Sequence, residues 1–354
     1  MDLKKFIDTP AQWLNSSGNH SNIVISTRVR LARNIEGIPF AHCAKESDLD
    51  KVIFQIKEAI KNNSYLTNVT MVELNKVNDL VKQLLMERHL ISRELAESKK
   101  GVVFIGDKEI MNIMVNEEDH LRIQTFASGL DSRTTWEMIN KIDDELSKYL
   151  NYAYSSNWGY LTACPTNVGT GMRTSVMIHL PALNITNQIR KILHAISQVG
   201  LAIRGLYGEG TEALGNFFQI SNQVTLGRNE QEITDNTEKI TNQIIGHEEK
   251  AREILMKNNR IQLEDQIMRA YATLTHARVI GSKEALELLS LVRLGVGIGL
   301  IKDISLKIIN ELLVISQPAH VQLFSGEILS SPARDVKRAL IIQKNLTRGE
   351  ERNV

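Results

Sequence analysis

The sequence predicts an α+β domain followed by an all-helical region. Strand-like alternating runs mixed with amphipathic helical patterns extend from Ile23 to about Leu226, and after Gly227 only helical patterns follow. A length of 354 residues exceeds what one hydrophobic core usually organises, which favours two domains. Asn258-Asn259 interrupts the helical pattern, so we expect domains at residues 1–257 and 258–354.

The individual elements follow from periodicity. Strands are predicted at Ile23–Leu31, Val102–Ile105, Ile110–Val115, Leu121–Phe126, Thr174–Leu180 and Phe217–Thr225. Helices are predicted at Leu49–Asn62, Val77–Arg88, Arg133–Leu150, Ile185–Gln198, Glu230–Lys257, Gln262–Val279, Lys283–Leu294, Asp303–Ile315 and Pro332–Leu346.

Composition excludes several classes of protein. The net charge is +1, with 42 Lys and Arg against 41 Asp and Glu, so no global field attracts nucleic acid or an anionic membrane. Cys43 and Cys164 are too few for a disulfide framework or a cysteine zinc site, and two free thiols suit the cytoplasm. We expect neither secretion nor a membrane span, because the most apolar stretch, Leu288 to Ile301, is short and interrupted by Arg293.

Two arginines lie on the first predicted strand. Period-two alternation places Arg28 and Arg30 on one face and Val29 on the other. Neighbouring guanidinium groups repel unless an anion bridges them, and their planar forks fit phosphate oxygens. The alternative is a basic edge strand exposed to solvent.

A second strand begins with Asn116-Glu-Glu-Asp-His-Leu-Arg122. Alternation places Glu118, His120 and Arg122 on one face. This pairing offers an acceptor for a cationic substrate beside a donor for an anionic one. A structural ion pair is the alternative interpretation.

Two further segments are rich in glycine. Cys164-Pro-Thr-Asn-Val-Gly-Thr-Gly-Met-Arg173 is a turn-rich loop whose glycines permit close approach to phosphates, but no Lys follows as in a P-loop. Arg204-Gly-Leu-Tyr-Gly-Glu-Gly-Thr-Glu212 adds an arginine and two carboxylates on a loop that we expect to be flexible. Cys164 has a plain alternative as a small apolar filler.

Together these four segments resemble the phosphagen (guanidino) kinases. The Ser-Thr-Arg-Val-Arg, Asn-Glu-Glu-Asp-His-Leu-Arg and Cys-Pro-Thr-Asn-Val-Gly-Thr stretches appear in that family's order within residues 23–226. The resemblance implies an antiparallel sheet flanked by helices, of the guanidino kinase and glutamine synthetase-like type. It also implies ATP and Mg²⁺ as cofactors, with no metal ligands supplied by the protein.

The resemblance also assigns residues. It implies that ATP phosphates are bound by Arg28, Arg30, Arg122, Arg173 and Arg204, that Glu118 and Glu209 are catalytic carboxylates, and that Cys164 lies near the acceptor. Phosphoryl transfer depends on positioning and charge neutralisation, which fixed arginines provide. A guanidinium is a poor nucleophile while protonated, so Glu118 and Glu209 would orient and neutralise it. Met177 stands where many relatives have a histidine packed on adenine.

The whole chain is similar to the bacterial protein arginine kinases of the McsB family. Only 25 residues precede Ser26, whereas small-molecule phosphagen kinases carry a helical domain there, so we expect an open site. The resemblance implies protein arginine side chains as acceptors, including a heat-shock repressor. It implies a zinc-binding activator protein and a Clp unfoldase–protease as partners, and a homo-oligomer.

A last site is predicted in Ser330-Ser-Pro-Ala-Arg-Asp-Val-Lys-Arg-Ala339. Ser331 is expected to cap a helix whose first residue is Pro332, and a helix N-terminus favours phosphate. Arg334 could bind that phosphate while Asp335 receives a guanidinium. The resemblance implies a phosphoarginine site of Arg334, Asp335 and Arg338; a capped helix with surface charges is the alternative.

Three functions remain open. The leading hypothesis is a protein arginine kinase that marks proteins for Clp degradation and regulates the heat-shock response. The second is a kinase of a free guanidino metabolite, and the third is a non-catalytic adapter that binds phosphoarginine.

Overall fold

The structure, a computed structural model, describes residues 9–63, 65–66, 68–205 and 214–351. Its strands are β1 (Val24–Arg33), β2 (Thr70–Glu73), β3 (Val102–Ile105), β4 (Met111–Val115), β5 (Leu121–Ser128), β6 (Tyr154–Ser155), β7 (Gly159–Tyr160), β8 (Met172–His179), β9 (Leu201–Gly205) and β10 (Phe217–Asn222). Its helices are α1 (Glu46–Lys61), α2 (Asp79–Glu87), α3 (Arg93–Glu97), α4 (Ser132–Ser147), α5 (Pro181–Ile185), α6 (Ile189–Gln198), α7 (Glu230–Asn258), α8 (Arg260–His276), α9 (Ser282–Gly297), α10 (Leu306–Ile315), α11 (Pro318–Ser325) and α12 (Ser331–Glu351).

Eight strands form one sheet in the order β2-β3-β4-β5-β1-β8-β10-β9. Every neighbouring pair in it is antiparallel. β1 lies at the centre, where its β-branched residues favour an extended chain buried between neighbours. The predicted α+β class, with an antiparallel sheet flanked by helices and a helical C-terminal part, is confirmed.

The two faces of the sheet are covered differently. Val29 and Leu31 of β1 pack in a core with Ile139 and Ile142 of α4. α7 continues this layer over β8 and β10. On the opposite face, α2 packs over β3 and β4, where Leu84 contributes to a separate core. The centre of that second face carries the polar residues described below.

The long helix predicted from Glu230 is confirmed. Asn229 accepts a hydrogen bond from the Glu232 amide, and the Glu232 carboxylate accepts one from the Asn229 amide, which closes a capping box. The helix predicted at Ile185–Gln198 is instead two helices, α5 and α6. Asn187 has a left-handed φ of 57° between them, which a continuous helix does not permit.

The C-terminal helices share one hydrophobic core with the sheet. Ile267 of α8 and Leu289 of α9 belong to the same buried cluster as Ile178 of β8. Arg293 of α9 is buried there and donates to the Ser21 and Asn22 carbonyl oxygens at 2.8 and 3.1 Å. The domain boundary at 257/258 stays a prediction. None of the described helices is long and apolar enough to cross a membrane.

Candidate active site

Five arginines converge on one face of the sheet. Arg30 pairs directly with Arg173 across β1 and β8. Arg122 pairs with Ala32, and Arg204 pairs with Gln219, which itself pairs with Met177. Because directly paired residues share a face, β1, β5, β8 and β9 present these arginines on the same side. The prediction that Arg28 and Arg30 share a face is confirmed.

The alternative of a solvated edge strand is wrong, because β1 lies between β5 and β8. Arg28 is half-buried, and its Nη2 donates to Gln219 Oε1 at 3.0 Å while its Nε donates to Ser175 Oγ at 3.4 Å. These contacts fix the guanidinium plane over the sheet.

Electrostatics mark this face as an anion site. Loss of hydration, and then repulsion from Arg122 and Arg173, lowers the pKa of Arg28 to about 10. Loss of hydration, and then repulsion from Arg28, Arg122 and Arg173, lowers the pKa of Arg30 well below its ordinary value, although Glu117 acts in the opposite direction. Arg30 Nε is buried and has no hydrogen-bond partner among the described residues. Clustered, dehydrated cations are costly without an anion, so this face favours the binding of a polyanion.

Two carboxylates contact Arg122. Glu118 is exposed, and its Oε2 lies 3.4 Å from Arg122 Nη2. Glu117 is buried, with Oε1 2.5 Å from Arg122 Nη1, and burial raises the pKa of this carboxyl. Sequence reasoning missed Glu117 as a site residue, although its place next to Glu118 in the motif was visible. It offsets part of the positive charge of the arginines, while Glu118 faces solvent and can meet a substrate.

His120 does not lie with Glu118. β5 begins at Leu121, so strand alternation does not extend back to either residue. His120 is buried, its Nδ1 accepts a hydrogen bond from the Ile35 amide at 3.0 Å, and its Nε2 lies 2.8 Å from the Pro39 carbonyl oxygen. Its role is to hold the segment that precedes β5.

Asp119 ties the Glu118 segment to the loop that carries Cys164. Its Oδ1 accepts from Asn34 Nδ2 and from the Ala163 amide, both at 2.7 Å. Cys164 is half-buried, and its Sγ lies 3.0 Å from Thr166 Oγ1. The thiol is therefore partly accessible, unlike a core filler, and the position of its loop is fixed relative to Glu118.

A small pocket lies beside Arg28. It is lined by Trp13, Ser26, Arg28, His89, Phe126, Ser175, Met177 and Gln219. The Trp13 ring lies edge-on to His89 at 5.8 Å and stacks on Phe126 at 6.2 Å. Trp13 and His89 were not identified from the sequence, because they come from segments far from any motif. These flat rings lie beside Arg28, at the margin of the face that carries the arginines.

The pKa of His89 gives a testable pH dependence. Burial, and then the charge of Arg28, lowers this pKa from 6.5 to about 3. The folded protein thus binds this proton less readily than the unfolded chain. The contribution of His89 to stability is complete above pH 6.5 and is lost as the pH falls toward 3. We expect His89→Gln to show a shallower loss of unfolding free energy across that window in urea titrations.

The exposed His194 provides the matched control, as His194→Gln. An unchanged acid slope in His89→Gln, equal to that of the control, would contradict the assignment.

Arg204 is not on a loop as expected. It lies in β9, an edge strand that the sequence analysis did not predict, and it is half-buried opposite Gln219. Both carboxylates of that segment, Glu209 and Glu212, lie outside the described residues.

The predicted phosphoarginine site, Arg334, Asp335 and Arg338, lies in the first turns of α12. The helix begins at Ser331, one residue earlier than expected, and the Ser330 carbonyl oxygen accepts from the Arg334 amide at 2.9 Å. Arg334 and Asp335 are half-buried. Arg338 is buried, donates to the Ser316 and Ile280 carbonyl oxygens at 2.7 and 2.9 Å, and is ion-paired with Asp335. Arg338 thus positions Asp335, and only Arg334 and Asp335 of the three are accessible to a ligand.

Comparisons with known proteins agree with this geometry. The family model "ATP:guanido phosphotransferase, C-terminal catalytic domain" matches residues 51–251, and "Protein-arginine kinase McsB C-terminal domain" matches residues 260–354. The protein-arginine kinase of Brevibacillus brevis is 47% identical over 350 residues, which cover 98% of each chain. That of Bacillus pumilus is 44% identical over 356 residues, 100% of this chain and 98% of the relative.

Solved structures show the same fold. The duplicated taurocyamine kinase from Schistosoma mansoni, with bound transition state analog components, superimposes with a TM-score of 0.60 and 26% identity over 66% of this chain and 34% of that chain. Lombricine kinase superimposes with a TM-score of 0.58 and 25% identity over 68% of this chain and 71% of that chain. The predicted guanidino kinase fold is confirmed, and the chain belongs to the protein-arginine kinase family of ATP-dependent phosphotransferases that act on a guanidinium nitrogen.

Proposed function

We propose that this chain transfers the γ-phosphoryl group of ATP to arginine side chains of proteins. The observation that carries the proposal is the single sheet face on which Arg28, Arg30, Arg122, Arg173 and Arg204 lie, with Glu118 beside Arg122. Full-length similarity to protein-arginine kinases supports proteins, rather than a free guanidino metabolite, as the acceptors.

The residues divide the chemistry between them. Arg28 and Arg30 bind the nucleotide phosphates, and Arg122 and Arg173 neutralise charge on the transferring group. Glu118 orients the acceptor guanidinium, offsets its positive charge and can accept its proton. The exposed position of Glu118 beside Arg122 supports this role. Glu209 would supply a second carboxylate, and Cys164 would contact the acceptor from the loop anchored by Asp119. Mg²⁺ would enter bound to the phosphates and add to the charge neutralisation.

Incubation with Mg-ATP tests the proposal directly. We expect acid-labile phosphate on an unfolded, arginine-containing protein and little on free arginine. Efficient phosphorylation of free arginine alone would support the metabolite kinase instead. No phosphate on either acceptor, together with retained binding of phosphoarginine, would support the adapter.

We further propose a phosphoarginine site at the start of α12. The backbone amides of the first helical turn and the positive end of the helix dipole favour the phosphate, together with Arg334. The Asp335 carboxylate, held by Arg338, would receive the guanidinium. Phosphoarginine, the product made on the arginine face of the sheet, is thereby the ligand of the site on α12. It can activate the enzyme only to the extent that it binds the active arrangement of domains or subunits more tightly than the inactive one.

The double variant Arg334→Ala/Asp335→Ala tests this second site. We expect binding of a phosphoarginine peptide to fall at least about hundredfold, because both charge-assisted contacts are lost, and activation by product to disappear. Calorimetric titration of the peptide measures the first effect and initial rates with added phosphoarginine the second. Lys337→Ala, on the same helix, is the control. Unchanged affinity in the double variant would rule the site out.

The cellular role rests on the family resemblance alone. We propose that phosphorylation marks proteins for a Clp unfoldase–protease and controls a heat-shock repressor, with a zinc-binding protein as activator. A cytoplasmic location, where both thiols stay reduced, and a homo-oligomeric state complete the proposal.

A further inference from the structure

Four large apolar side chains are exposed near the loop of Cys164. Tyr154 and Trp158 lie in the β6–β7 hairpin and are 62% and 58% exposed. Val224 and Leu226 follow β10 and are 47% and 44% exposed. We call these four residues the hairpin surface. Isolated exposed apolar residues need no explanation, but a group beside a reaction centre does.

Two glycines bring the segments of this surface together. A Cβ on Gly159 would lie 2.5 Å from the Gly169 carbonyl oxygen, and one on Gly169 would lie 2.5 Å from the Thr225 carbonyl oxygen. Such contacts are tighter than any side chain allows, so both positions require glycine. The hairpin, the Cys164 loop and the segment of Leu226 therefore lie side by side with their backbones touching.

The hairpin is also held firmly from below. The Arg33 guanidinium carbon lies 3.5 Å from the centre of the Tyr160 ring, and Arg33 is paired with the buried Asp143 at 2.8 Å. Tyr154 packs edge-on against Tyr160 at 5.3 Å. The exposed rings thus project from an anchored base, which reduces the entropy lost when they bind a partner.

The segments of the hairpin surface lie on both sides of the Cys164 loop, which we propose contacts the acceptor. The amide of Tyr160 donates to the Gly169 carbonyl oxygen at 2.8 Å, which closes the loop that contains Cys164. On the other side, Thr225 Oγ1 donates to the Val168 carbonyl oxygen at 2.7 Å. Cys164 follows Trp158 by about six positions, which is at most about 20 Å of extended chain. An extended substrate with at most about six residues on one side of its arginine would therefore span this distance.

We propose that the hairpin surface binds apolar side chains flanking the acceptor arginine in unfolded segments of protein substrates. This inference rests on the proposed function and adds a basis for choosing substrates. Folded proteins bury their large apolar residues, whereas unfolded segments expose them beside their arginines. Trp158 and Leu226 would therefore lower KM for unfolded acceptors without contacting the reacting atoms.

Two synthetic peptides of thirteen residues, each with one central arginine, test the proposal. One carries Leu and Phe at three to five residues on both sides of the arginine, and the other carries Ser and Gly there. We expect the parent to have a lower KM for the apolar peptide. Trp158→Ser and Leu226→Ser should each raise that KM about tenfold, equivalent to about 1.4 kcal/mol, with kcat and the KM for the polar peptide unchanged.

Phe54→Ser is the matched control, since Phe54 is 67% exposed on α1, where it lies beside residues of β2 and β3. Equal KM values for the two peptides in the parent, or an unchanged KM in both hairpin variants, would overturn the proposal. A change of oligomeric state in Trp158→Ser without a change in KM would do the same and identify a subunit interface.

A binding measurement separates this inference from the proposed function. Both peptides are labelled, their arginine is replaced by lysine, and affinity is measured by fluorescence anisotropy. If neither arginine peptide is phosphorylated, the proposed function fails. Tighter binding of the apolar lysine peptide, weakened by Trp158→Ser, would still support the hairpin surface, and equal binding would refute it.

Discussion

Glu118→Gln should abolish most phosphoryl transfer while leaving nucleotide binding nearly unchanged. The substitution keeps the size of the side chain and removes the negative charge that faces Arg122 and, in our proposal, the acceptor guanidinium. Loss of a group that handles the acceptor's charge and proton typically costs about 10²- to 10⁴-fold in rate. Steady-state kinetics with an unfolded protein acceptor measure the effect, and nucleotide titration measures ATP affinity.

Glu137→Gln is the control for charge removal, since Glu137 forms an exposed pair with Arg133 on α4. Activity of Glu118→Gln within about tenfold of the parent corresponds to a barrier change of only about 1.4 kcal/mol. That result would exclude Glu118 as the acceptor carboxylate.

Arg30→Lys should lower kcat/KM at least about hundredfold although the positive charge is kept. Arg30 lies directly opposite Arg173, and its buried Nε has no protein partner among the described residues. A planar fork can bind phosphate oxygens in pairs, whereas an ammonium group is a point charge on a flexible stem. Arg28→Lys should behave similarly, and Arg133→Lys, on the exposed surface of α4, should have no effect.

Arg30→Met tests how the buried charge of Arg30 affects the stability of the protein. Lost hydration and repulsion lower the pKa of Arg30, so the charged side chain is unfavourable in the protein without nucleotide. We expect the Arg30→Met variant to be inactive. Its free energy of unfolding in urea should exceed that of the parent by about 1 kcal/mol or more. Parental turnover in Arg30→Lys, or a loss of stability in Arg30→Met, would indicate a structural arginine.

Much of this site was visible in the sequence because strand alternation is a local rule. The face shared by Arg28 and Arg30 follows from spacing alone, and Glu118 followed from its place in a motif. Alternation fails where the backbone leaves the strand, which is why His120 was placed wrongly beside Glu118. Arg204 was assigned to a loop because β9 is only five residues long and precedes a glycine-rich segment.

Other features depend on contacts that no local pattern encodes. Glu117 acquires its role from the buried ion pair with Arg122. Trp13 and His89 reach the pocket beside Arg28 from segments that carry no recognisable motif. Arg338 resembled a ligand-binding residue in sequence, and only the fold shows that the Ser316 and Ile280 carbonyl oxygens occupy its guanidinium.

The burial of Arg293 has a consequence for how the chain folds. His179, at the end of the strand that carries Arg173, lies 3.1 Å from Arg293 and 2.8 Å from Ser290, so α9 completes the packing of β8. Because the two regions share a core and a buried polar cluster, we expect them to unfold together. Proteolysis or heating that detaches the C-terminal helices should therefore also unfold the sheet. We expect the kinase region not to fold when it is produced without these helices.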